Sequence, residues 1–342
     1  MSIRRIIGIC IIACLCSAAS GCSGAAVTGP GAGALPRSAV RDSIADSVTA
    51  DANGPLLHNT WTKKLADPFP SNGLAVGAVN GILYAVGGAG AYYLNKLESY
   101  NPSTNRWTVL APMPARRAYA AVGVHNGVLY VVGGSRFNIS GSVYAYNVAT
   151  NTWTQKASMP TPRYDLGVGF LNGILYAVGG VQRGPVTPTF GTIVEAYNPQ
   201  TNTWTTKAPL PLPMEGPAVA VVNGVLYAIG SGGTADAAVE AYDPATDTWT
   251  AKAPMLEGKS LFGAAVVNGK IYAAAGCGEY PIPCYNNTLE AYDPAANTWA
   301  MLASMPVGVD APGAGSVNGL FYVVGGQTGN FYNTGMLQAY RP

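Results

Sequence analysis

Asn126-Gly127-Val128-Leu129-Tyr130-Val131-Val132-Gly133-Gly134 decides the fold of this chain. Asn-Gly accepts positive φ at both central positions of a type I′ turn, so the strand after it pairs back on the strand before it, Ala120–Val124. The β-branched and aromatic run that follows suits an extended strand, and its near-continuous apolar character suits one covered on both faces. The same Asn-Gly recurs at Asn80-Gly81, Asn172-Gly173, Asn223-Gly224, Asn268-Gly269 and Asn318-Gly319. Each pair stands 19 residues after a tryptophan. The six tryptophans, Trp61, Trp107, Trp153, Trp204, Trp249 and Trp299, are spaced by 46, 46, 51, 45 and 50 residues. A period of that length, built of short strands, signals a radial β array.

Each repeat holds four strands, a to d. In the copy above, strand c carries Val143-Tyr144-Ala145-Tyr146, a polar turn follows, and Trp153 opens strand d. Sister turns read Asn101-Pro102, Asn198-Pro199, Asp243-Pro244 and Asp293-Pro294, residues that favour tight turns. The strand-c Tyr precedes its Trp by 7 residues in every copy that has both. The distance from the Gly-Gly pair to that Tyr varies from 11 to 17 residues, so all length variation lies in the b–c loops. The chain ends at Tyr340-Arg341-Pro342 with no strand d for the last copy, and Asn59-Thr60-Trp61-Thr62 supplies the missing sequence at the other end. The expected fold is therefore all-β, with six four-stranded antiparallel blades and the last one closed by the N-terminal strand. A single blade cannot bury enough apolar surface to offset its chain entropy, so the Trp, the Tyr sets and the Val/Ile/Leu runs are expected to pack blade on blade.

Residues 1–22 read as a processing segment: Arg4-Arg5, the short apolar stretch Ile6–Leu15, then Ala19-Ser20-Gly21-Cys22. The last four look like a lipoprotein cleavage box with Cys22 acylated, and an ordinary cleaved signal is the alternative. Residues 23–55 are rich in Ser, Ala, Gly, Thr and Asp and read as a flexible tether, leaving 56–342 for the propeller. Export agrees with the cysteines: of six, only Cys277 and Cys284 lie beyond Cys22, and a disulfide is expected between them. A metal site there would need further ligands, and the two histidines, His58 and His125, stand at repeat-frame positions. Only 11% of residues are charged and the formal net is +2, so the chain lacks the electrostatic footprint of a nucleic-acid binder.

Strand parity places the a–b and c–d turns on one face and the b–c loops and d–a connections on the other. The second face holds the variation, and loops on a rigid scaffold usually carry function. Its loops contain Tyr92, Tyr93, Phe137, Phe190, Tyr280, Tyr285, Phe331 and Tyr332, with few charges, namely Lys96, Arg136, Arg183, Asp236 and Glu279. The d–a connections add Arg117 and Tyr119, then Arg163 and Tyr164. The candidate ligand-binding set is Tyr92, Tyr93, Arg117, Tyr119, Phe137, Arg163, Tyr164, Arg183, Tyr280, Tyr285, Phe331 and Tyr332.

Gly-Gly after strand b, Glu-x-Tyr-Asn/Asp-Pro on strand c, then Trp and Met-Pro-x-x-Arg together resemble the kelch motif, over about residues 57–342. The resemblance, taken with the N-terminal segment, is to exported bacterial lipoproteins of kelch type. It implies a structural alternative for Arg117 and Arg163, pairing with the strand-c acids Glu98, Glu195, Glu240 or Glu290. Kelch-like propellers include a copper oxidase, which the positions of His58 and His125 do not suit. They also include a mutarotase resembling the bacterial sialic acid enzyme, for which Arg163, Arg183, Glu215 or Glu279 would supply acid–base groups. The expectation is a non-catalytic cell-envelope module, without cofactor or metal. It binds a glycan or protein at the loop face and is held to the membrane through Cys22; the mutarotase is the alternative.

Overall fold

The structure, a computed structural model, describes residues 58–135, 137–183, 189–230, 236–278 and 284–342, with the backbone alone at Phe190 and Asn330. Cys22, the processing segment and the tether lie outside the described residues, as do Arg136, Glu279 and Tyr280. Each repeat forms one four-stranded antiparallel sheet. Blade 2 runs Ala121–His125, Val128–Val132, Val143–Asn147 and Thr152–Lys156. Asn126 and Gly127 take φ of 49° and 74°, as a type I′ turn demands. The fixed offset of 7 has a simple origin: Tyr146 and Trp153 are directly opposed across the c–d turn. Their ring centroids lie 5.0 Å apart, and every blade repeats the pair.

The ring closes as the repeat arithmetic requires. Blade 6 consists of Gly313–Val317, Leu320–Val324, Leu337–Arg341 and, as its outer strand, Thr60–Lys64. Trp61 stands opposite Tyr340 in that ladder. Six apolar clusters fill the six interfaces between neighbouring blades. One joins Tyr130, Val132 and Val143 of blade 2 to Leu175, Ala177 and Tyr197 of blade 3. Another joins Val267, Tyr272 and Leu289 of blade 5 to Phe321, Val323 and Tyr340 of blade 6. The core thus lies between sheets rather than within one. The strand-c tyrosines are sealed in it, whereas the tryptophans, apart from Trp299, are half-buried on the outer strand.

The tryptophans have a second task. Trp107 Nε1 donates to the carbonyl of Leu65 in the preceding repeat at 2.8 Å. Asn105 Oδ1 accepts the amide of that same Leu65 at 3.0 Å and the Tyr100 hydroxyl at 2.7 Å. Identical two-point clips grip Ala111, Ala157, Ala208, Ala253 and Ala303. At the closure, Trp61 and Asn59 hold Ala303. The clip residue two before each Trp is Asn, or Asp at Asp247, and all six take φ of 52–56°, a conformation Asn and Asp tolerate.

Candidate functional site

Strand a of every blade lines the central channel, and six converging strands leave room only for small side chains. The first strand-a residues are Ala75, Ala121, Gly167, Ala218, Gly263 and Gly313. A Cβ on Gly167 would meet the Pro217 carbonyl oxygen at 2.4 Å. At the loop-face mouth, Gly73, Tyr119, Asp165, Gly216, Leu261 and Ala311 surround a cavity of about 130 Å³. All six have positive φ, and each stands 12 residues after its Trp. Their backbones are chained around the mouth: Tyr119 N donates to Gly73 O at 2.7 Å, Asp165 N to Tyr119 O at 2.9 Å, and Gly216 N to Asp165 O at 2.6 Å. Ala311 N donates to Leu261 O at 3.0 Å and Gly73 N to Ala311 O at 2.8 Å. Positive φ at Leu261 and Ala311 carries strain of order 1 kcal/mol each, which this chain of five hydrogen bonds, open between Gly216 and Leu261, helps to offset. The motif went unread in the sequence although its fixed offset from Trp was visible, because Gly, Tyr, Asp, Leu and Ala share no side-chain chemistry.

The loop-tip aromatics gather into an arc over four consecutive blades. Tyr285 of blade 5 meets Phe331 of blade 6 edge to face at 6.4 Å. Asn333 of blade 6 donates to the Ala89 carbonyl of blade 1 at 2.9 Å. Tyr93 of blade 1 stacks on Phe137 of blade 2, with centroids 6.0 Å apart and planes 16° apart. Tyr92, Phe137, Phe331 and Tyr332 are 71–84% exposed. Exposed aromatic surface on this scale is uncommon unless it meets a partner.

Four described members of the candidate set lie elsewhere. Arg163 is fully buried: its guanidinium donates to Glu195 Oε2 at 2.6 Å and to the Ala177 carbonyl at 3.0 Å. Burial pulls its pKa below the ordinary arginine value, and Glu195 opposes that shift. It ties the d–a connection to strand c of the blade that follows, and its expected ligand contact is corrected to a structural ion pair. Tyr164 is likewise buried, with its backbone paired to Val181, so its expected ligand contact is corrected too. Tyr119 sits at the channel mouth rather than in the arc. Arg183 is exposed on blade 3. Tyr280 lies outside the described residues, within the loop bracketed by the Cys277–Cys284 disulfide.

The profile of the KLHDC2/KLHL20/DRC7 Kelch-repeats domain matches residues 73–261, more than half of the chain, and the Kelch motif profile matches 258–306. The chain is a kelch-repeat protein. Kelch-like ECH-associated protein 1A of Danio rerio is 41% identical to it over 64 residues, a match that spans 17% of this chain and 11% of that protein. Among solved structures, YjhT superposes with a TM-score of 0.68 at 18% identity, over 80% of this chain and 96% of the other, a likeness of fold. Kelch propellers are in general binding and interaction scaffolds.

In this kelch chain the acid two residues before the strand-c Tyr changes its company from blade to blade. Lys259 meets Glu290 at 2.9 Å in blade 5, both fully buried. In blade 6 the acid becomes Gln338, which exchanges hydrogen bonds with the Val307 backbone. In blade 4 Met214 takes the cation's place, and burial pushes the Glu240 carboxyl up. Blade 1 draws its cation from the residue just before strand c: Lys96 contacts Asp67 at 2.6 Å and Glu98 at 3.0 Å.

Two buried carboxyls around one ammonium leave a charge to neutralise. Burial, and then hydrogen bonding from Asp67, push Glu98 up to about 7 against the pull of Lys96. The folded pKa lies above the ordinary carboxylate value. This contribution to stability is therefore full below about pH 4.5 and is lost as pH rises to about 7. Glu98→Gln should match the parent at pH 4.5 and exceed it at pH 8 by on the order of 2 kcal/mol in urea unfolding. An unchanged difference between the two pH values would refute the shared proton.

Proposed function

We propose that this kelch protein is a non-catalytic recognition module whose aromatic arc binds a mostly neutral glycan or exposed peptide segment. The carrying observation is the arc itself, rings from four blades, exposed on three of them and half-buried at Tyr285, on the one face where loop length varies. Tyr and Phe on short loops offer rigid contact area at low entropic cost, as binding surfaces do.

The reading extends to the cell envelope. Cys22, acylated, would hold the chain at a membrane by its N-terminal segment. The propeller is entered at His58, whose Nδ1 lies 2.5 Å from the Pro342 carbonyl oxygen, on the a–b and c–d face. A Cys22→Ser chain that still fractionates with membranes would remove the anchor from this reading.

The mutarotase alternative gains no support from the site. Arg163 is committed to Glu195, and a mouth of about 130 Å³ is smaller than the roughly 300 Å³ at which ligand-enclosing pockets begin. Glycan and peptide arrays probed with the propeller should return a hit that also raises its melting temperature. Accelerated interconversion of sugar anomers, followed by NMR, would overturn the non-catalytic reading.

A further inference from the structure

Six outer strands form the rim of the propeller, and five of them carry a cation on or just beyond the strand. Lys63 and Lys64 lie on Thr60–Lys64, Arg106 on Arg106–Val109, Lys156 on Thr152–Lys156 and Lys207 on Thr203–Lys207, while Lys252 follows Thr248–Ala251. A cation on an outer strand deters pairing with another sheet, because the incoming strand would have to cover the charge. Blade 5 lacks that guard. Its outer strand, Thr298-Trp299-Ala300-Met301-Leu302, is uncharged throughout. Ala300 stands where the other five have Thr, and Leu302 where four of them have Lys. Thr298, Ala300 and Met301 are exposed.

The backbone of this strand suits a partner in one register. Ala303, just beyond it, turns its N–H and C=O away from strand c: Asn59 Oδ1 accepts the first at 2.9 Å and Trp61 Nε1 donates to the second at 2.7 Å. Alternation along an antiparallel ladder turns those of Met301 and Trp299 the same way. Among the described residues neither is paired with a further strand. A second copy of the strand, laid antiparallel about Ala300, sets each Trp299 against the Met301 of the other copy. Both are hydrogen-bonded pairs that exchange N–H and C=O, and Ala300 meets its own copy on the two-fold axis. Trp299 and Met301 project from one face of the strand, so each thioether lies beside the other copy's indole, a favoured contact. The same pairing at any sister strand would gather cations about the axis. The uncharged edge is thus self-complementary, and a second copy of this chain is the occupant it fits.

We propose that the protein forms a two-fold dimer through the outer strand of blade 5, joining two four-stranded blades into one continuous sheet. Such a contact is isologous and closes at two copies. One strand pair is small beside the roughly 1,200 Å² at which stable interfaces begin, so the copies separate at micromolar concentration and pair toward about 0.1 mM. The dimer uses the rim, so it stands whether or not the loop face binds a glycan or peptide.

Sedimentation velocity on the full chain, from about 1 μM to 0.5 mM, should show a monomer giving way to a dimer. Met301→Lys copies Lys63 and Leu302→Lys copies Lys64, so both should keep a cooperative melt, and each should weaken association at least about tenfold. Ala300→Cys should cross-link two copies under mild oxidation at the high concentration, because a non-hydrogen-bonded pair holds its Cα atoms about 4.5 Å apart, within disulfide reach. Thr108→Cys, at the same place on blade 1, should not. A chain that stays monomeric across the range overturns the proposal, as does association that survives both lysine variants. Assemblies larger than two copies, or cross-linking of Thr108→Cys as readily as Ala300→Cys, overturn the two-fold register.

Discussion

A chain beginning at Asp67, without the strand Thr60–Lys64, should show no cooperative thermal transition and should associate in solution. Its loss is more than five ladder pairs. Trp61 covers Phe321 and Tyr340, donates to Ala303, and shares that clip with Asn59, which also accepts the Tyr340 hydroxyl. Without it, the strand Leu337–Arg341 becomes an open edge with Tyr340 uncovered, a template for pairing with another copy. A buried aromatic contact, three hydrogen bonds and a strand ladder together approach the roughly 5–15 kcal/mol that stabilises a whole domain. Circular dichroism melts with size-exclusion chromatography read both consequences. Adding a peptide of residues 58–65 should restore the monomer by strand addition. A truncated chain that stays monomeric with an unchanged melting temperature would refute ring closure by this strand.

Arg163→Met should cost about 3–5 kcal/mol, because it leaves Glu195 buried without its cation. The charge, rather than the volume, is the source of that loss. Adding Glu195→Gln should therefore recover most of it, since Gln338 occupies the same position in blade 6 and satisfies its amide on the Val307 backbone. Arg163→Lys should fall between, as the Lys259–Glu290 pair shows a lysine can serve. Urea unfolding of the parent, Arg163→Met, Glu195→Gln and the double variant forms a double-mutant cycle. Equal stability of Arg163→Met and the double variant would mean the buried carboxylate is not what matters, and the ion-pair account would fail.

The repeat frame was legible because turn chemistry repeats residue for residue. Asn-Gly fixed the a–b hairpin, the offset from Tyr to Trp fixed the c–d pair, and the unmatched ends fixed the closure. Backbone-made features were not legible. The mouth ring uses five residue types at one dihedral, and the clip residues resembled ordinary turn asparagines. For the candidate site, the loop face and its aromatics were readable from length variation alone. The fates of Arg117 and Arg163 were not. They occupy equivalent positions, and only the partner on strand c, Tyr144 in one case and Glu195 in the other, separates a half-exposed guanidinium held by Ser140 and Ser142 from a sealed one. Blade-by-blade comparison of that pair of columns would have been the usable signal.

The claim that the two faces divide the work, one holding the ring and the other binding, meets its most direct test in a Tyr92→Ala, Phe137→Ala, Tyr332→Ala triple variant. These side chains are exposed and take no part in the clips, so the melting temperature should stay within about 2 °C of the parent. Capture of the array ligand should fall at least about a hundredfold, the scale expected when hot-spot aromatics are removed. Retained capture, or a melt lowered as far as a clip variant such as Asn59→Ala, would contradict the account.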